Sequence, residues 1–93
     1  MSTLDTVAEK IIKEQELVIG PLAWSEAGKV QGLTVNTTTG QVTISDSDPK
    51  IAVDKLVAQY ERLFGQASHE VCRQAAASLI AQLSQAEIPS SLR

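Results

Sequence analysis

The chain has one cysteine, one histidine and three aromatic residues, and nowhere a run of lysine or arginine. Each shortage excludes something. Cys72 alone cannot close an internal disulfide, and with His69 it falls short of the four ligands of a structural zinc site. The absence of a basic stripe with interleaved aromatics removes the electrostatic footprint expected of a nucleic-acid binder or of a surface that docks on anionic lipid. The net charge of −3 is spread without a pole: three basic and five acidic residues precede Leu33, and five and six follow from there. No stretch approaches the roughly twenty apolar residues of a membrane helix, and the opening MSTLDTVAEK has no apolar run of signal-peptide length. The expectation is a cytoplasmic protein that binds neither nucleic acid nor membrane, and holds no cofactor and no metal.

What is present is aliphatic. The apolar fraction is 43%, and with Trp24, Tyr60 and Phe64 as its only aromatics the core has to be built from Leu, Ile, Val and Ala, a composition suited to close helix packing. Ninety-three residues make a single domain, near the size at which core burial only modestly exceeds conformational entropy.

The clearest element runs from Asp48 to Gly65. Asp48 can accept hydrogen bonds from the free amides of a first turn, and Pro49 loses nothing at the first helical position. Val53, Leu56, Val57, Tyr60, Leu63 and Phe64 then recur at three-and-four spacing, with Ile51 available to anchor the first turn. Gly65 can take the left-handed cap conformation that ends the helix.

On either side the signals are plainer in type than in extent. Ser2 or Thr3 can cap a first helix over residues 3–18, with Asp5 near its positive end and a stripe of Leu4, Val7, Ala8, Ile11 and Ile12 that Val18 extends. Glu9 and Lys13 stand four apart in the favourable order on its solvated face. Gly20-Pro21 breaks the pattern and opens a short helix over 21–30, weakened by Gly28 and stopped by Gly32.

From Leu33 the period falls to two. Leu33, Val35, Val42 and Ile44 share one face of a hairpin over 33–45, threonines take the other, and Gly40 serves the turn. After Gly65, Ser68 is the expected cap of a last helix over 68–87, with Cys72, Ala75, Ala76, Leu79, Ile80 and Leu83 as its stripe. Pro89 stops it, leaving a frayed tail over 89–93. The expected fold class is α+β: two N-terminal helices, a central β-hairpin and a C-terminal antiparallel αα-hairpin.

Few residues carry a suggestion of chemistry. His69 and Cys72 lie three apart near a helix start, where the dipole lowers a thiol pKa, so a nucleophile with its base is conceivable. The weightier reading is that Cys72, on the apolar stripe, is packing and His69 a surface residue. Asp46 with Asp48, and Glu14 with Glu16, could serve as paired carboxylates, but the first pair reads as turn and cap and the second as a solvated helix end. Gly20, Gly28 and Gly32 are too far apart to cradle a phosphate. Trp24 is either a plug over the hairpin or an anchor for a partner.

The function expected on this basis is a small soluble, non-enzymatic protein-interaction or regulatory module that self-associates as a homodimer, with Trp24, Val35, Val42 and Ile44 as the candidate interaction surface. The alternative is a small-molecule sensor domain with an apolar pocket between hairpin and helices. An enzyme using His69 and Cys72 is a third and weaker reading.

Overall fold

Asp48 starts the central helix as its chemistry requires: the residue is extended (φ −116°, ψ 101°) and its carboxylate accepts the Lys50 amide at 3.1 Å. The structure, a computed structural model, describes residues 3–93; the capping role of Ser2 lies outside them. In chain order the elements are α1 (Thr3–Ile19), α2 (Leu22–Ala27), β1 (Leu33–Asn36), β2 (Gln41–Ile44), α3 (Pro49–Phe64) and α4 (Gln66–Ile80), followed by 3-10 turns at Gln85–Glu87 and Ser90–Leu92. This is an α+β fold with the hairpin between the N-terminal and C-terminal helices.

The helices bury one stripe each. α3 buries Ala52, Val53, Leu56, Val57 and Tyr60, whereas Leu63 and Ile51 keep close to half of their surface exposed. The most extensive helix contact joins α1 to α4, and α3 packs against both. β2 lies against α1 and β1 against α2. The strands pair antiparallel, Leu33 with Ile44 and Val35 with Val42, which puts these four apolar residues on one face. Leu33 and Val42 are buried there, and Val35 and Ile44 half-buried, while Thr34 and Thr43 face outward. The turn is built by Asn36, whose side-chain oxygen accepts the amides of Thr38 and Thr39.

The chain departs from the sequence expectations in five places. The first is α2, expected over 21–30, which spans Leu22–Ala27 and ends where Gly28, a poor helix former, caps it. α4 begins at Gln66, because Gly65 alone, at φ 87°, both ends α3 and turns the chain. Ser68 is therefore a buried residue inside the helix and not its cap.

The same helix stops at Ile80, short of residue 87. Ser84 and Glu87 form a capping box, with the Glu87 carboxylate accepting the Ser84 amide at 3.0 Å and its hydroxyl at 2.8 Å, and this start signal opens a new turn.

On α1, Val18 is exposed and the buried stripe ends instead on Gln15. Gln15 reaches Ser68 and Cys72 near the beginning of α4, so one turn further along α1 there is no α4 left to cover Val18.

Finally, residues 89–93 are not frayed. Pro89 and Leu92 are buried against α3 and α4, and Ser90 and Ser91 bond to Asp54 of α3.

Candidate functional site

His69 and Cys72 stand in different surroundings. Because α4 starts at Gln66, Cys72 sits beyond its first turn, where the helix terminus has little influence. The thiol is fully buried and its sulfur accepts a hydrogen bond from Gln15 Nε2 at 3.3 Å. Burial outweighs that bond and pushes the thiol up to about 11. At neutral pH the thiolate fraction is then only about one part in ten thousand. Alkylation of folded protein is accordingly expected to run at least a hundredfold slower than in denaturant, followed by mass spectrometry; equal rates in the two states would contradict the burial of Cys72.

The imidazole of His69 turns away to other partners. Its Nδ1 lies 2.8 Å from Glu61 Oε2 on α3, and its Nε2 lies 2.5 Å from the Ser91 carbonyl oxygen in the C-terminal turn. With the ring committed on both sides and the sulfur committed to Gln15, the two residues do not form a nucleophile–base pair. His69 is half-buried and joins α3, α4 and the C-terminal segment.

Beside it Asp54 gathers three donors from that segment: Ser90 Oγ at 3.1 Å, Ser91 N at 3.0 Å and Ser91 Oγ at 2.5 Å. Lys50 Nζ holds the preceding turn through the Ala86 carbonyl at 2.9 Å, and Arg93 returns to the Gln85 carbonyl at 3.1 Å. Apolar anchors at Pro89 and Leu92 with polar ties between them make this a clasp. The one sequence cue to it is that Pro89 and Leu92 are apolar in an otherwise polar end.

The carboxylate pairs have structural roles. Asp46 Oδ1 accepts the Asp48 amide at 3.0 Å and its Oδ2 lies 3.7 Å from Lys55 Nζ, while Asp48 caps α3. Glu14 pairs with Lys10 at 3.3 Å. The pairing expected between Glu9 and Lys13 is replaced by this one, and Glu9 lines a cleft between α1 and α4 with Lys10, Lys13 and Ser78.

A residue the sequence did not single out, Glu26, is buried on α2 and binds it to α3. Its carboxylate accepts Lys29 Nζ at 3.0 Å and Gln59 Nε2 at 2.8 Å, and these bonds hold it below the usual carboxylate range. Among the described residues no group of three or more His, Cys, Asp and Glu is placed to hold a metal, and no helix is long and apolar enough to cross a membrane.

The candidate interaction residues divide by exposure. Val42 is fully buried, so its side chain belongs to the core. Together with Leu33 it fills the space between hairpin and helices that a sensor pocket would need. Trp24 is half-buried against the core, its ring edge beside Gly40 of the hairpin turn.

Val35 and Ile44 flank the strand edges. The bond from the Ser45 amide to the Gly32 carbonyl fixes the ladder phase, which makes Leu33–Ile44 and Val35–Val42 the pairs without mutual backbone bonds. Their amides and carbonyls therefore point away from the partner strand. On β2 the outward amide of Ile44 is taken by Asp5 Oδ1 of α1 at 3.1 Å. On β1 it is Val35 that faces out in mid-strand. The largest exposed apolar side chains gather elsewhere, at the α1–α2 corner, where Leu17 is 80% and Val18 64% exposed beside Leu22. No known protein family, curated protein or solved structure matches the chain.

Proposed function

We propose that this chain is a non-enzymatic protein-interaction module that pairs with a second copy of itself through the outer edge of β1. The reading rests on the hairpin. Among the described residues the sheet has two strands, and Val35 presents its amide and carbonyl outward where neither Lys, Pro nor an inward-pointing charge protects the strand. Two such edges meeting about a twofold axis make a four-stranded antiparallel sheet, an isologous and closed arrangement. The β2 edge is the poorer route, since α1 packs beside it and Asp5 occupies the Ile44 amide. An apolar pocket for a small molecule has against it the side chains that fill the space between hairpin and helices.

Sedimentation across a hundredfold range of concentration tests the pairing. The wild type is expected to shift from monomer to dimer, and Val35→Pro to remain monomeric at every concentration. Proline at that position removes an outward amide and breaks no bond within the hairpin, so the fold should persist. A wild type that stays monomeric throughout refutes self-association. A dimer that survives Val35→Pro and is lost in Leu17→Glu would place the contact at the α1–α2 corner instead.

A further inference from the structure

We propose that the C-terminal segment Pro89–Arg93 is a pH-dependent clasp, held shut over α3 and α4 by the doubly protonated ring of His69 and loosened when that ring loses a proton. The ring has an oxygen acceptor on each side, the Glu61 carboxylate at Nδ1 and the Ser91 carbonyl at Nε2. A neutral imidazole has one N–H and one lone pair. If the proton stays on Nδ1, the Nε2 lone pair faces the carbonyl lone pairs of Ser91. If it stays on Nε2, the Nδ1 lone pair faces a carboxylate. Only the imidazolium donates to both, so deprotonation costs one of the two bonds whichever tautomer results.

The surroundings act in the same direction. Glu61 approaches from α3 and Glu70 from α4 itself, both favouring the cation. Arg73, the nearest cation along α4, is spent on Glu70, and Arg93 in the C-terminal turn is directed to the Gln85 carbonyl. From α1 the group that reaches this end of α4 is the uncharged Gln15, and the Cys72 thiol is neutral. Asp54 on α3 is engaged with Ser90 and Ser91.

The ring is therefore held above its ordinary value, chiefly by the Ser91 carbonyl. A raised value in the folded chain means that the contribution of His69 is complete below its unfolded value of about 6.5 and fades as pH climbs through the raised one. Acid closes the clasp, and mild base weakens it. What opens is the surface of α3 and α4 beneath Pro89 and Leu92, both buried in the closed form.

His69 is the sole histidine, so its ring resonances report the titration without ambiguity. The experiment follows them by NMR together with hydrogen-exchange protection of the Ser91 and Leu92 amides, corrected for the intrinsic dependence of exchange on pH. The expected result is a His69 midpoint above the ordinary value and a loss of protection at both amides, on the order of tenfold per unit of midpoint shift, that runs from about pH 6.5 up through that midpoint while protection within α3 stays constant. Glu61→Gln, at a half-exposed position, should move the midpoint downward, and His69→Gln should make the amide protection independent of pH over the same interval. The proposal is overturned if His69 titrates at or below the ordinary value, or if the wild-type Ser91 and Leu92 amides keep constant protection through its titration; both readings come from the wild type alone.

Discussion

Leu56→Ala is expected to remove about 2–5 kcal/mol of stability, the range for a buried leucine truncated in a close-packed core. Leu56 stands in the middle of α3 with no accessible surface, on the stripe that also carries Val53, Val57 and Tyr60. The loss has two parts, the transfer free energy of the missing methyl groups and the dispersion attraction that the walls of the new cavity forfeit. Alanine's better helix propensity returns only a few tenths of a kcal/mol at most. Stabilities of small domains are about 5–15 kcal/mol, so this single change should consume a large share of the total and lower the melting temperature by roughly 4–8 °C for each kcal/mol. Denaturant titration followed by the fluorescence of Trp24 measures it, with the midpoint falling and the slope unchanged. Leu63→Ala on the same helix is the internal control: that side chain is 43% exposed and should cost far less. A loss under about 0.5 kcal/mol for Leu56→Ala, the level of ordinary surface substitutions, would place Leu56 outside the core.

What could be read from the sequence is what short-range chemistry decides. The limits of α3 follow from Asp48, Pro49 and Gly65, three residues whose backbone preferences act within one turn, and both ends fall where those preferences put them. The inward face of the hairpin follows from a period of two, and Leu33 and Val42 are buried on it.

The end of α4 was legible and outvoted. Ser84 and Glu87 carry the spacing of a capping box, but Leu79, Ile80 and Leu83 continue a helical period past Ile80, and the longer signal hid the shorter one.

Gln15 and Val18 were not legible. Both lie toward the apolar side of α1, and which of them is buried depends on where α4 begins, fifty residues later in the chain. The clasp is the extreme case. Asp54 meets Ser91 across 37 residues and His69 meets it across 22, so no local pattern in SSLR distinguishes a docked end from a frayed one. The candidate site that the structure offers thus joins His69, which the sequence placed on a surface at a helix start, and a segment read as a tail to Asp54 and Glu61 of α3, which no pattern singled out.

Tyr60→Ala is expected to cost about 3–5 kcal/mol, as for other buried aromatics, and Tyr60→Phe only about 0.5–1.5 kcal/mol, the net worth of one hydrogen bond. Tyr60 is the largest fully buried side chain. Its hydroxyl donates to the Ala23 carbonyl at 2.7 Å, and together with the Gln59–Glu26 bond this ties α3 to α2, a helix of six residues with no side-chain cap at its start. Ring and hydroxyl thus have separate duties. The ring fills the core between α2 and α4, and the hydroxyl fixes where α2 lies.

Equilibrium melts of the two variants separate these contributions, and equal losses would mean that the hydroxyl carries the whole effect. The phenol gives an independent check, because Tyr60 is the only tyrosine and its ionisation is visible in near-ultraviolet absorbance. Burial drives its pKa far above the ordinary value of about 10. An acid whose folded value is raised stabilises the fold fully below its unfolded value, and that contribution is lost as pH rises from there through the folded value. The phenolate signal should therefore stay absent through pH 10 in the folded chain and appear together with alkaline unfolding. Ionisation near pH 10 with the fold intact would show that the Tyr60 hydroxyl is open to water and that its bond to Ala23 does not hold α2 in place.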